Sequence, residues 1–124
     1  MTSIVLIEDN EQSARMAEKI LNREGYDVYV APDGESGLEL VQDVIADLIL
    51  VDLGLPDMDG QTVVALLRQQ AGLAGIPIIA FTAWPEATAG QMALAYGCHG
   101  VITKPINTRT FVSQIAGFIE AATA

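Results

Sequence analysis

The sequence has few cysteines and few basic residues. Its single cysteine, Cys98, excludes a disulfide within the chain and a metal site built from several thiolates. Six Lys and Arg stand against 16 Asp and Glu, a net charge of −10. A chain with so few basic residues has no cluster with which to bind nucleic acid or an acidic membrane surface.

Long apolar runs are absent as well. Stretches such as Leu48–Val51 and Val63–Leu67 are far shorter than the roughly 20 residues that span a bilayer. The first residues also lack the basic segment of a secretory signal peptide. We therefore expect a soluble, cytoplasmic protein that binds neither nucleic acid nor a membrane.

The chain has 124 residues, of which 51% are hydrophobic and 18% are charged. This composition predicts an ordered globular protein, and the length predicts a single domain over residues 1–124. The charges are unevenly distributed, because 14 of the 16 acidic residues precede residue 60. The second half carries only five charged residues, which are Arg68, Glu86, Lys104, Arg109 and Glu120.

Short apolar strands alternate with helical patterns five times. The predicted strands are Ser3–Ile7, Asp27–Ala31, Leu48–Val51, Ile76–Phe81 and Gly100–Thr103. Apolar residues at helical spacing follow each strand, and the last residues of these patterns are Leu21, Ile45, Leu67, Tyr96 and Ile119. The fourth helix is predicted to be weak because it contains Gly90. Five β–α units in series predict an α/β, flavodoxin-like fold, a doubly wound parallel sheet in the order 2-1-3-4-5.

Polar residues stand at the carboxyl ends of four predicted strands. Glu8 and Asp9 follow strand 1, Asp52 follows strand 3, Thr82 follows strand 4 and Lys104 follows strand 5. Ligands of such sheets bind at this edge, where strands 1 and 3 are neighbours, so we expect the three carboxylates to converge. Two carboxylates about 4 Å apart repel each other by roughly 4 kcal/mol at an effective dielectric constant near 20, and the cluster therefore needs a cation.

The chemistry of these residues narrows the kind of cation and the kind of site. Ligands that are all oxygen favour a hard ion, and three carboxyls that leave positions for water suit Mg²⁺ better than Ca²⁺. A metal ion, a carboxylate nucleophile, a lysine and a hydroxyl together form a plausible phosphoryl-acceptor site.

Each residue also has an ordinary structural interpretation. The segment Glu8-Asp9-Asn10 is suited to capping a helix, Asp52 to a turn, and Lys104 to the surface. Their coincidence at the ends of separate strands favours the functional interpretation. Cys98 and His99, which have no visible partner, are interpreted as structural.

The sequence resembles the response-regulator receiver domains of two-component signalling, the CheY-like family. The matching segments keep the family's order and spacing over the whole chain and are residues 5–10, 47–60, 76–83 and 104–105. Glu-Asp-Asn-Glu after strand 1 and Gly-Tyr before strand 2 are similar to stand-alone regulators of the DivK kind. The resemblance implies a phosphorelay protein that signals by protein–protein contact.

The resemblance implies that Asp52 accepts a phosphoryl group from a histidine kinase or a histidine phosphotransfer protein. It implies Mg²⁺ held by Asp9, Asp52 and the backbone carbonyl of Gly54, with Glu8 acting through water.

The remaining roles concern the phosphoryl oxygens. The resemblance implies that Lys104 pairs with them, that Thr82 turns inward to bond one of them, and that the Gly54 and Ala83 amides donate to them. Such a protein is a phosphoacceptor that assists its own phosphorylation and dephosphorylation, rather than an enzyme.

The chain departs from the family pattern in three places. Val101 stands where the family has an aromatic residue three positions before the lysine, Trp84 is unusually large two positions after Thr82, and Gly54 is unusually small two positions after Asp52. We expect the conformational switch or gate to involve Thr82, Trp84 and Val101. The face of helix 4, strand 5 and helix 5 has few charges, and we expect it to contact the downstream protein; a homodimer is left open.

Other functions remain as alternatives. The chain is also compatible with a receiver fragment of a hybrid histidine kinase. A phosphatase of the haloacid-dehalogenase type needs a second Asp two residues after the nucleophile, where this chain has Gly54. A flavin-phosphate site needs a Ser/Thr/Gly-rich loop after strand 1, where this chain is acidic. An inert pseudo-receiver is disfavoured by the complete set of Asp9, Asp52, Thr82 and Lys104.

Overall fold

Strands and helices alternate along the chain, as the sequence predicts. The computed structural model describes residues 2–123, so Met1 and Ala124 of the predicted domain 1–124 lie outside the described residues. The strands are β1 (Ser3–Ile7), β2 (Asp27–Ala31), β3 (Leu48–Asp52), β4 (Ile78–Thr82) and β5 (Gly100–Thr103). The α-helices are α1 (Glu11–Arg23), α2 (Gly34–Asp43), α3 (Gly60–Arg68), α4 (Glu86–Tyr96) and α5 (Phe111–Thr123), and a short 3-10 helix is formed by Ala71–Leu73.

The five strands form one parallel sheet in the order β2-β1-β3-β4-β5, which confirms the predicted fold. Ile7 of β1 pairs with Val51 of β3, so the next residues, Glu8 and Asp52, stand at the same level of the sheet. Thr82 pairs with Thr103, which places the ends of β4 and β5 side by side. The register therefore brings the polar strand ends to one edge.

The core lies in two layers, one on each face of the sheet. Residues of α1 and α5 pack with one set of strand side chains, and residues of α2, α3 and α4 pack with the other. Every residue of β3 and of β4 is buried. This explains why their sequences are apolar without alternation, since central parallel strands are covered on both faces.

Side-chain caps fix where the first three helices begin. Asn10, Asp33 and Asp59 each accept a hydrogen bond from a backbone N–H inside the helix that follows. Caps of this kind contribute about 1 kcal/mol each. Two of these helices follow strands β1 and β3, so the caps also fix the short loops at the carboxyl edge of the sheet.

Several predicted element boundaries are wrong. Strand β4 begins at Ile78 and not at Ile76, because Pro77 has no N–H with which to join a ladder. Helix α2 ends at Asp43, and Val44 has extended backbone angles. Ile45, which the helical pattern includes, follows the helix and is 92% exposed.

Candidate functional site

Three carboxylates meet at the carboxyl edge of the sheet. Glu8, Asp9 and Asp52 each offer an oxygen, and these oxygens lie within 4.8 Å of one another. Glu8 and Asp52 are only 2% and 8% exposed, whereas Asp9 is exposed. A donor set made only of carboxylates fits a hard divalent cation such as Mg²⁺.

Glu8, Asp9 and Asn10, which follow β1, make different contacts. The side chain of Asn10 accepts the Ser13 N–H at 2.9 Å and is the cap of α1. Glu8 turns inward and accepts the Asn10 N–H at 3.2 Å. The capping interpretation therefore applies to Asn10, and the carboxylates of Glu8 and Asp9 are left to the acidic cluster.

Lys104 lies inside this cluster and not on the open surface. Its Nζ donates a hydrogen bond to the Glu8 carboxylate and stands 3.4 Å from Oδ2 of Asp52. The ammonium group also lies 5.0 Å from the centre of the Phe81 ring. The Lys104 N–H donates to the carbonyl of Thr82 at 2.7 Å, which fixes the end of β5 to the end of β4.

The pKa values of the two inner carboxylates are shifted in opposite directions. Burial raises the pKa of Glu8 to about 7, and its hydrogen bond with Asp52 adds to this effect, although Lys104 opposes it. Burial would also raise the pKa of Asp52, but hydrogen bonds from Glu8 and the Gly54 N–H, with the charge of Lys104, hold that pKa below its usual value. The pKa of Asp52 therefore lies below that of Glu8.

The loops after β3 and β4 supply small residues and backbone amides. The Gly54 N–H donates to Oδ1 of Asp52 at 2.9 Å, and a Cβ at Gly54 would stand 3.6 Å from the same oxygen. Thr82 is 1% exposed, and its hydroxyl accepts the Trp84 N–H at 3.1 Å. Ala83, between them, is exposed. Space beside Asp52 is therefore left open on the Gly54 side.

Trp84 and Val101 lie on the same face of the sheet. Both side chains are partly buried and pack against the core layer that also contains α3 and α4 residues. The backbone N–H of Trp84 thus contacts the Thr82 hydroxyl, and its side chain packs against the core layer that contains α4 residues. The structure brings the three residues of the expected switch or gate into one region.

Two groups of contacts were not predicted from the sequence. Asp57, in the loop after β3, accepts the N–H groups of Gly34 and Glu35 at 2.8 and 2.9 Å. Arg68 contacts Nδ1 of His99 at 3.0 Å, and His99 is therefore not without partners. The only sequence signal for Asp57 is its position in the Pro-Asp-Met-Asp-Gly segment. Arg68 and His99 are 31 residues apart, and the sequence gives no signal of their contact.

Comparison with known proteins is consistent with this geometry. The family described as "Response regulator receiver domain" matches residues 4–116. The DivK polar-differentiation response regulator of Brucella ovis is 30% identical over 117 residues, which cover 94% of this chain and 95% of that protein.

Solved structures show the same architecture. A chemotaxis response regulator of Vibrio cholerae superposes with a TM-score of 0.88 at 27% identity, covering 95% of this chain and 98% of that one. A CheY-like receiver domain protein of Methanospirillum hungatei has a TM-score of 0.87, covering 99% and 97% of the two chains. At 24% identity this second likeness shows the fold alone.

The remaining observations bear on the alternatives. Among residues 2–123, every helix is too short or too polar to cross a lipid bilayer. None of the comparisons supports a haloacid-dehalogenase or flavin-binding protein, whereas the receiver match covers nearly the whole chain. The acidic cluster at the sheet edge, the strand order and the sequence match agree, and the chain belongs to the response regulator receiver domain family.

Proposed function

We propose that Asp52 accepts a phosphoryl group from a histidine kinase or a histidine phosphotransfer protein, and that the modified domain signals by contact with a downstream protein. The observation that carries the proposal is the buried Asp52 carboxylate with two further carboxylates and Lys104 around it. A nucleophile, a cation site and a fixed positive charge at one point are what transfer to a carboxylate requires.

The cation proposed for this site is Mg²⁺. Asp9 and Asp52 would hold it directly, together with the backbone carbonyl of Gly54, and Glu8 would act through water. When bound, Mg²⁺ neutralises charge on the phosphoryl oxygens and fixes their orientation. The exposed position of Asp9 and Gly54 leaves this side of the cluster open to solvent and to a phosphodonor.

The transfer forms one bond and breaks one. An oxygen of Asp52 attacks phosphorus while the bond from phosphorus to the histidine nitrogen of the donor breaks, and that nitrogen keeps the electron pair. Because such transition states are loose, most of the catalysis comes from positioning and charge neutralisation. Asp52 is itself modified in each cycle, and the domain therefore acts as a phosphoacceptor that assists its own phosphorylation and dephosphorylation.

The chain's own groups receive the incoming charge. Lys104 exchanges its contact with Glu8 for the phosphoryl oxygens, and the Thr82 hydroxyl turns inward to bond one of them. The backbone amides of Gly54 and Ala83 donate to the others. The exchange is favoured because Lys104 already stands 3.4 Å from Asp52.

Trp84 is proposed to couple this site to α4. Its N–H is bonded to the Thr82 hydroxyl, so an inward turn of Thr82 breaks that bond and releases the start of the loop. Val101 lacks the ring that family members use at its position, and the loop with Trp84 therefore carries more of the change. The bulk of Trp84 also restricts the approach of water to the phosphorylated carboxylate.

The proposed output surface is the face of α4, β5 and α5. Helices α4 and α5 carry one charged residue each, Glu86 and Glu120. Leu94 is 79% exposed, and Met92 is exposed as well. Exposed apolar residues with few charges among them favour a protein partner, which is either a downstream target or a second copy of the chain. Such phosphorelay partners would place the domain in the cytoplasm.

Intact-mass measurement tests the proposed acceptor. The wild type incubated with Mg²⁺ and a small acyl phosphate should gain one phosphoryl group, and omission of Mg²⁺ should suppress the gain. Asp52→Asn keeps the shape of the side chain but lacks the nucleophilic oxygen, so it should stay unmodified. Equal labelling of the two proteins, or labelling at another residue of the wild type, would refute the proposal.

A further inference from the structure

The loop between β3 and α3 is attached to the beginning of α2 by one carboxylate. Asp57 accepts the Gly34 N–H on Oδ1 at 2.8 Å and the Glu35 N–H on Oδ2 at 2.9 Å. Both of its oxygens are therefore used, although the side chain is exposed. These two hydrogen bonds hold the pKa of Asp57 below its usual value, as expected for bonds made to the charged form.

A side-chain contact beside Asp57 strengthens this attachment. A Cβ on Gly34 would stand 2.6 Å from Cγ and Sδ of Met58, so the absence of a side chain at Gly34 lets Met58 pack against the helix backbone. The polar and the apolar contact join the same two segments. The middle of the loop is thus docked on α2.

Helix α2 has its own cap and does not need Asp57 for that purpose. Asp33 accepts the Ser36 N–H at 2.8 Å and the Ser36 hydroxyl at 2.6 Å. Asp33 belongs to the segment that leads directly into the helix, whereas Asp57 comes from 23 residues further along the chain. Among the hydrogen bonds of residues 2–123, those of Asp57 connect the helix to the loop that follows Asp52, and the Met58 contact lies beside them.

This loop carries Gly54, whose N–H bonds to Asp52. Its two ends are fixed by β3 and by the Asp59 cap of α3. Between these ends, Asp57 and Met58 hold the chain against α2. A loop fixed in advance does not lose conformational freedom when a cation binds to its backbone.

We propose that Asp57 is a positioning residue, whose attachment to α2 holds the Gly54 backbone in place for cation binding at Asp52. The inference rests on the proposed function, because it concerns the same cation. It adds that the beginning of α2 is joined to the loop after Asp52 by the two Asp57 hydrogen bonds and the Met58 contact.

The experiment compares Asp57→Ala with the matched control Asp33→Ala. Each substitution removes one carboxylate, and with it two hydrogen bonds, at the same end of α2, but only Asp57→Ala detaches the loop. The Mg²⁺ Kd is measured by titration calorimetry. Hydrogen exchange of residues 53–59 is measured in the metal-free proteins, which reports the attachment without any cation.

We expect Asp57→Ala to bind Mg²⁺ about tenfold more weakly than Asp33→Ala, at the low end of the 10–100-fold losses seen when groups that orient metal ligands are removed. Hydrogen exchange of residues 53–59 should be faster than in the wild type in Asp57→Ala, and unchanged in Asp33→Ala. Asp57→Asn, which keeps one acceptor oxygen and removes the charge, should fall between wild type and Asp57→Ala, and it replaces Asp57→Ala if that variant does not fold.

Equal Mg²⁺ Kd values and equal exchange in the Asp57 and Asp33 variants would overturn the inference. An Asp57→Asn protein that binds Mg²⁺ as weakly as Asp57→Ala while residues 53–59 exchange as in the wild type would show that lost charge, and not the attachment, causes the effect. A wild type that binds no Mg²⁺ and gains no phosphoryl group would instead refute the proposed function, and the exchange of the metal-free loop would still decide whether Asp57 holds it.

Discussion

His99 joins three segments through one ring nitrogen. Nδ1 of His99 accepts the Ile78 N–H at 3.0 Å, at the beginning of β4, and lies 3.0 Å from Nη2 of Arg68. Arg68, near the end of α3, also donates to the Gly97 carbonyl at 2.5 Å. Because Nδ1 acts as an acceptor, the neutral ring is the form that these contacts require.

The His99 contacts predict a pH dependence of stability. Burial, followed by the charge of Arg68, lowers the pKa of His99 below its ordinary value of 6.5. The unfolded chain therefore binds a proton before the folded chain does as the pH falls. The stabilisation by His99 is complete above pH 6.5 and is lost as the pH falls from there through the folded-state pKa.

The variant His99→Ala isolates this contribution in thermal unfolding. It leaves the Ile78 N–H without its partner and should lower the free energy of unfolding by about 1–2 kcal/mol at pH 8. The difference from wild type should shrink at about pH 5.5. Glu8 also titrates in this range, but it does so in both proteins and cancels in the difference. A difference that stays constant with pH would contradict the role given to Nδ1.

Single residues of the site could be predicted where they follow a strand directly. Glu8, Asp52 and Thr82 could be placed because parallel strands end at a common edge, and the register then sets them at one level. Their partners could not be predicted. The contact of Lys104 with Glu8 joins residues 96 apart, and the Asp57 contact depends on where α2 begins.

Helix α4 is the element least supported by its own sequence. It begins without a side-chain cap and contains Gly90, which costs about 1 kcal/mol relative to Ala in a helix. Its end is better defined, since Gly97 has a φ of 90° and ends the helix in the left-handed region. A marginal helix next to the Thr82–Trp84 loop is suited to a change of conformation.

Substitution of Gly90 tests how marginal this helix is. Apart from the neighbouring residues and the helix's own backbone, a Cβ at Gly90 would have no atom within 4 Å. Gly90→Ala should therefore raise the free energy of unfolding by about 1 kcal/mol, measured by urea denaturation. Gly97→Ala is the matched control and should lower it by about 1 kcal/mol, because a side chain is disfavoured at positive φ. A loss of stability in Gly90→Ala would show that the position tolerates no side chain.

The existence and order of the elements could be predicted more fully than their ends. The apolar periodicity is a property of the middle of each element, whereas the ends depend on caps and on tertiary contacts. Helix α2 illustrates this, because its first residue, Gly34, is fixed by Asp33 and Asp57 and its apolar pattern continues to Ile45 beyond the last helical residue. The pattern alone could not distinguish Ile45 from a core residue.

Across the molecule, the site stands where the two core layers meet at the sheet edge. One layer contains α1 and α5 with Phe81 and Phe111, whose ring centroids are 6.2 Å apart. The other contains α2, α3 and α4 and includes Trp84 and Val101 as partly buried members. Thr82 is therefore in contact with the second layer through Trp84, and with the β5 segment through the bond from the Lys104 N–H to the Thr82 carbonyl.

This arrangement predicts where phosphorylation changes the molecule. With Mg²⁺ and a beryllofluoride mimic of the phosphoryl group, hydrogen exchange should change both around Asp52 and in residues 83–96, because the Thr82 hydroxyl leaves the Trp84 N–H and the uncapped start of α4 lies only two residues beyond Trp84. Asp52→Asn under the same conditions should show neither change. If protection changes only beside Asp52 while residues 83–96 keep their exchange rates, the signal does not leave through α4, and the output surface has to be sought on α1 or α2.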